Sequence, residues 1–153
     1  MIKLIKTKLI NYFPEYTPLE INKFEAALYC SSCEKKAVLF KFLGERIIQI
    51  MSAQRCYTIE CQDIDVFKKR LQNRDFKLVH EFLMKKDYDG LDYYCPECDK
   101  IYCIDHYAIF PIFEDTFYDY SVGVCPFGHK REVDDWRTKE TFLGKEIVSW
   151  RVG

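Results

Sequence analysis

Short pairs of cysteine and histidine limit what this chain can fold into more than any other feature. They occur, in order, at Cys30/Cys33, Cys95/Cys98, Cys103/His106 and Cys125/His129. Two soft ligands separated by two or three residues reach one ion from a single tight turn, and two such turns close a tetrahedral shell. Cys95-Pro96-Glu97-Cys98 and Cys125-Pro126-Phe127-Gly128-His129 have the residues such turns need, with Pro after each leading Cys and a Gly free to take positive φ before the closing His. Cys95, Cys98, Cys125 and His129 therefore read as a structural zinc site of three thiolates and one imidazole.

The remaining pairs leave more than one arrangement open. Cys30, Cys33, Cys103 and His106 make a second closed shell if the pairs alternate along the chain, first with third and second with fourth. Cys30 and Cys33 could instead join Cys56 and Cys61, or Cys103 and His106 could be packing residues. Outside such a site, Cys56 and Cys61 are most simply buried thiols on or near strands. One or two structural zinc ions are thus the expected cofactor. A framework of disulfides is the other use of eight cysteines. Met1 to Ile10 alternates Lys with apolar residues and has neither a continuous apolar core nor a small-residue cleavage site. That favours a cytoplasmic chain, in which paired thiols more often hold metal.

The 153 residues suit one domain or two tightly joined lobes, and 48% hydrophobic residues supply ample core. A net charge of −1 argues against a general nucleic-acid binder, which needs a basic face to displace counterions. No apolar run is long enough to span a bilayer.

Residues 1–20 fit a helix or a strand about equally. Thr17-Pro18-Leu19-Glu20 resembles a helix start with Pro at the first position, and predicts a short helix burying Ile21, Phe24, Ala27 and Leu28. Ala37–Phe42 and Arg46–Met51 form a predicted hairpin, with Cys56–Ile59 as a third strand. Asp63 caps a helix burying Ile64, Phe67 and Leu71, and a second helix from Phe76 to about Lys86 buries Phe76, Val79, His80 and Leu83. His80 is a core histidine on this reading. His80-Glu81 does not open a metalloprotease motif, because Met84 stands where the second His is needed. From Tyr93 to Asp135 the pattern is β-like, and Trp136–Gly153 adds a last strand. The expectation is an α+β fold of small antiparallel sheets with two short helices, divided into an N-terminal lobe (1–92) and a zinc-binding β lobe (93–153) that form one compact unit.

Over residues 93–135, Cys-Pro-x-Cys followed by Cys-Pro-x-Gly-His resembles zinc-ribbon and zinc-knuckle domains. That resemblance implies a small zinc-clamped sheet used to bind protein or nucleic acid. The interleaving of the pairs is similar to the cross-braced logic of RING-type fingers, but the gap from Cys33 to Cys95 is far longer than in that family and no ligase role carries over. Ile104-Asp105-His106-Tyr107, with Pro111 beyond, resembles an HNH-type nuclease. There the residue matching His106 would activate water and the one matching Asp105 would orient it or help bind metal. The later Asn and second Cys-x-x-Cys-His of that family are not evident. Glu114 to Tyr120 mixes acids with Phe and Tyr and reads as a protein-binding patch. The resulting expectation is a non-catalytic zinc protein that binds another protein, of inhibitor or immunity type. The alternatives are an HNH-like metal-dependent nuclease and a nucleic-acid-binding zinc ribbon.

Overall fold

The computed structural model describes residues 17–86 and 89–133. The N-terminal segment up to residue 16 and the strand expected across 136–153 lie outside them.

Five strands form an antiparallel sheet in chain order: β1 (Leu19–Ile21), β2 (Glu25–Tyr29), β3 (Lys36–Phe42), β4 (Ile47–Ser52) and β5 (Cys56–Glu60). Period-two alternation sets its faces. Ala26 pairs with Phe40, Phe40 with Ile50, Phe42 with Ile48, and Ile48 with Ile59, so these buried side chains share one face. Helices α1 (Ile64–Gln72) and α2 (Phe76–Lys86) cover it. The Phe67 ring meets Phe40 edge-on at 5.4 Å and Phe82 at 5.8 Å. Asp63 caps α1 by accepting from the Val66 amide at 3.1 Å, and α1 buries Ile64, Phe67 and Leu71 as its apolar spacing predicts.

The helix expected after Pro18 is instead the β1–β2 hairpin. The carboxamide of Asn22 accepts from the amides of Phe24 and Glu25 at 2.8 and 3.0 Å and closes a turn there. This local bond competes with helix formation. Phe24 is consequently 69% exposed, while Ala26 and Leu28 alternate inward.

Beyond the helices, β6 (Tyr94–Cys95) pairs with β7 (Lys100–Ile101). β8 (Ala108–Glu114), β9 (Phe117–Val124) and β10 (Lys130–Val133) make a three-stranded antiparallel sheet. The fold is α+β, with two helices and three small sheets among the described residues. One hydrophobic cluster runs from Ala26 through the helices to Tyr107 and Cys125, across the 92/93 division. None of the described helices is long and apolar enough to cross a membrane.

Candidate metal centres

Tight turns with left-handed residues beside them present the ligands. In the Cys30 turn, the Glu34 amide donates to Cys30 O and Glu34 takes φ 63°. In the Cys95 turn, the Asp99 amide donates to Cys95 O and Asp99 takes φ 53°. Gly128 takes φ 85° before His129, with nothing within 4 Å of where a Cβ would stand, so backbone conformation rather than crowding calls for glycine. Backbone amides also point at the sulfurs: Ser32 N lies 3.4 Å from Cys30 Sγ, Cys98 N 3.4 Å from Cys95 Sγ, and Phe127 N 3.3 Å from Cys125 Sγ.

The structure brings Cys95, Cys98, Cys125 and His129 together, and separately Cys30, Cys33, Cys103 and His106, with one ligand atom from each residue within 4.8 Å of the others in its group. In a zinc tetrahedron with bonds of about 2.3 Å to sulfur and 2.0 Å to nitrogen, the edges are about 3.8 Å between sulfurs and 3.5 Å between sulfur and nitrogen. The observed edges match. In the first group Cys98 Sγ–Cys125 Sγ is 3.8 Å, and His129 Nδ1 lies 3.5, 3.2 and 3.4 Å from Cys95, Cys98 and Cys125 Sγ. In the second, Cys33 Sγ–Cys103 Sγ is 3.6 Å, and His106 Nδ1 lies 3.8 and 3.3 Å from Cys30 and Cys103 Sγ. Both groups could therefore each hold a metal ion. Cys56, exposed beside Gln49, and buried Cys61 join neither.

The pairs alternate, and the β6–β7 hairpin carries one half of each group. Cys95 and Cys98 reach forward to Cys125 and His129, while Cys103 and His106 reach back to Cys30 and Cys33. The Ser31 amide donates to Ile101 O, and Lys35 pairs with Asp105 at 3.0 Å, so the first turn is clasped to the hairpin by more than its thiols.

Burial sets the charge state of the thiols when no ion is bound. Burial pushes the Cys30 and Cys95 thiols up to about 12, against the amides that favour the thiolate. Burial also opposes ionisation of Cys103, but His106, the Asp105 amide and neighbouring thiols outweigh it and bring that thiol down to about 7. A divalent ion would supply the charge that lets Cys30 and Cys95 ionise. Glu97 Oε2 stands 3.3 Å from His129 Nε2, a position that holds the proton on Nε2 and leaves Nδ1 to ligate.

A buried polar cluster that sequence spacing does not reveal supports the entry to β6. Arg55 Nε donates to Asp92 at 2.9 and 3.1 Å, and Arg55 Nη2 donates to Gly90 O at 3.1 Å. Arg131 donates to Asp89 O, Leu91 O and Tyr94 O, each at 2.9 Å. His80, buried as expected, accepts from the Leu91 amide at Nδ1 at 3.0 Å. Burial, aided by Arg131, lowers its imidazole to about 4. The loop leading to Cys95 is thus fixed by two guanidinium groups and one neutral imidazole.

The profile of a family described as Domain of unknown function (DUF8328) matches residues 42–135, more than half of the chain. The match spans Cys95 to His129 and begins after Cys30 and Cys33. No curated protein and no solved structure matches the chain.

Proposed function

We propose a function for this chain, which belongs to the DUF8328 family: a non-catalytic module, fastened by two structural zinc ions, that binds another protein. The observation that carries the proposal is the completeness of both ligand groups. Each offers three sulfurs and one imidazole nitrogen at tetrahedral edge distances. Soft thiolates with imidazole suit zinc better than calcium or magnesium. When bound, zinc would cross-link the turns and leave no position for a reactive water. Cys30, Cys33, Cys103 and His106 would join the first turn to the β6–β7 hairpin, and Cys95, Cys98, Cys125 and His129 would join that hairpin to β9 and β10 in a ribbon-like lobe.

His106 directs Nδ1 at Cys30 and Cys103, which favours a ligand over the general base that an HNH-type nuclease would need there. The β8–β9 hairpin supports protein binding. Phe117 is 76% exposed near its tip, among exposed Glu114, Asp115 and Asp119. An exposed aromatic ringed by carboxylates suits a basic, partly apolar surface, as on the target of an inhibitor or immunity factor.

The test has two arms on zinc-loaded protein. Supercoiled plasmid incubated with magnesium or manganese should stay intact, and a specific host protein should be captured by the wild type and lost with Phe117→Ser. Plasmid nicking that co-purifies with the chain would overturn the reading.

A further inference from the structure

A groove of about 500 Å³ lies between α1 and α2, away from both ligand groups. Phe67, Phe82 and Val66 give it an apolar surface, with Cys61 beside them, and Arg70, Lys85 and Lys86 line it too. The arrangement repeats on each helix. Val66 is followed one turn later by Arg70 on α1, and Phe82 by Lys85 and Lys86 on α2. Arg70 lies toward the 73–75 connection, and Lys85 and Lys86 lie away from it, so positive charge brackets the apolar centre.

That charge is not neutralised among the described residues. Arg70 and Lys85 form no ion pair there, and Lys86 only approaches the Phe82 ring at 5.8 Å. Asp63 also lines the groove while capping α1, and against its one carboxylate the three cations leave the lining net positive. Val66 is 43% exposed, so the apolar centre is open to a ligand.

We propose that this groove binds an acidic amphipathic peptide segment. An apolar side chain of the segment rests on Val66 and Phe82, above buried Phe67, and carboxylates on either side meet Arg70 and the Lys85–Lys86 pair. Charge complementarity selects an anion, and the apolar centre selects a side chain over a sugar-phosphate backbone. Strong nucleic-acid binding draws on about six to ten phosphate contacts, more than this groove offers. The inference goes beyond the hairpin reading and uses a different surface. Its failure would leave the Phe117-dependent capture untouched.

Selection of twelve-residue phage-displayed peptides on the intact zinc-loaded protein tests it. Enriched sequences should place Asp or Glu three or four residues from Leu, Ile or Phe. Synthetic versions should bind at least about tenfold more weakly to Arg70→Glu/Lys85→Glu, and more weakly as salt rises. Lys86→Glu provides a second variant at an exposed position, and circular dichroism checks that both fold. Enrichment of neutral or basic peptides, equal binding to the charge-reversed proteins, or a duplex oligonucleotide that binds through the same three cations would each overturn the proposal.

Discussion

His80 gives the chain a pH dependence whose sign and size follow from its surroundings. Its Nδ1 accepts the Leu91 amide, and burial lowers the imidazole from 6.5 to about 4. The unfolded state therefore binds more protons between these values, and stability falls as pH drops through that window. The loss is about 2 kcal/mol between pH 7.5 and pH 5, and approaches about 3 kcal/mol below pH 4. A loss of that size is a large part of the ~5–15 kcal/mol available to a domain. His80→Asn isolates the effect, because an Asn carboxamide oxygen can accept the same amide without titrating. Urea unfolding of both proteins across this pH range is the assay. Any loss of metal as the thiols of the two ligand groups protonate would affect wild type and variant alike, so the difference between them reports His80. The wild type should lose about 2 kcal/mol more than the variant. A difference that stays constant with pH would refute the reasoning.

Three further outcomes follow from the packing. Gly90→Ala should destabilise by about 2–4 kcal/mol in urea unfolding, because Gly90 takes φ +66° and a Cβ would stand 2.5 Å from the His80 ring. Arg55→Met should cost about 3–5 kcal/mol in the same assay, since it removes the cation that pairs with buried Asp92 at 2.7 Å. Cys98→Ser should lower zinc content by about one equivalent and the melting temperature by many degrees, whereas Cys56→Ser should leave zinc content unchanged.

Local chemistry was legible in the sequence wherever one segment settles it. The Asp63 cap and the Ile64, Phe67, Leu71 stripe identify α1, and two mostly apolar segments on either side of the Gly44-Glu45 turn identify β3 and β4 as a hairpin. The segment after Pro18 misleads because Asn22, rather than apolar spacing, decides its turn. Within each ligand pair, spacing specifies the turn. Between pairs it specifies nothing, so the partner of Cys30 and Cys33 stayed open until the hairpin placed Cys103 and His106 beside them. Arg55 and Asp92 lie 37 residues apart and share no periodic pattern, so no local signal could have paired them. A run of Asp89, Gly90 and Asp92 just before the first Cys-Pro turn is the only hint that this loop needs internal counter-charges.

X-ray absorption at the zinc edge tests the central claim most directly, using protein purified under reducing conditions without added metal. The account predicts about two zinc ions per chain, each with roughly three sulfurs near 2.3 Å and one nitrogen near 2.0 Å. A shell rich in oxygen, a fifth ligand, or less than about one zinc per chain would contradict it.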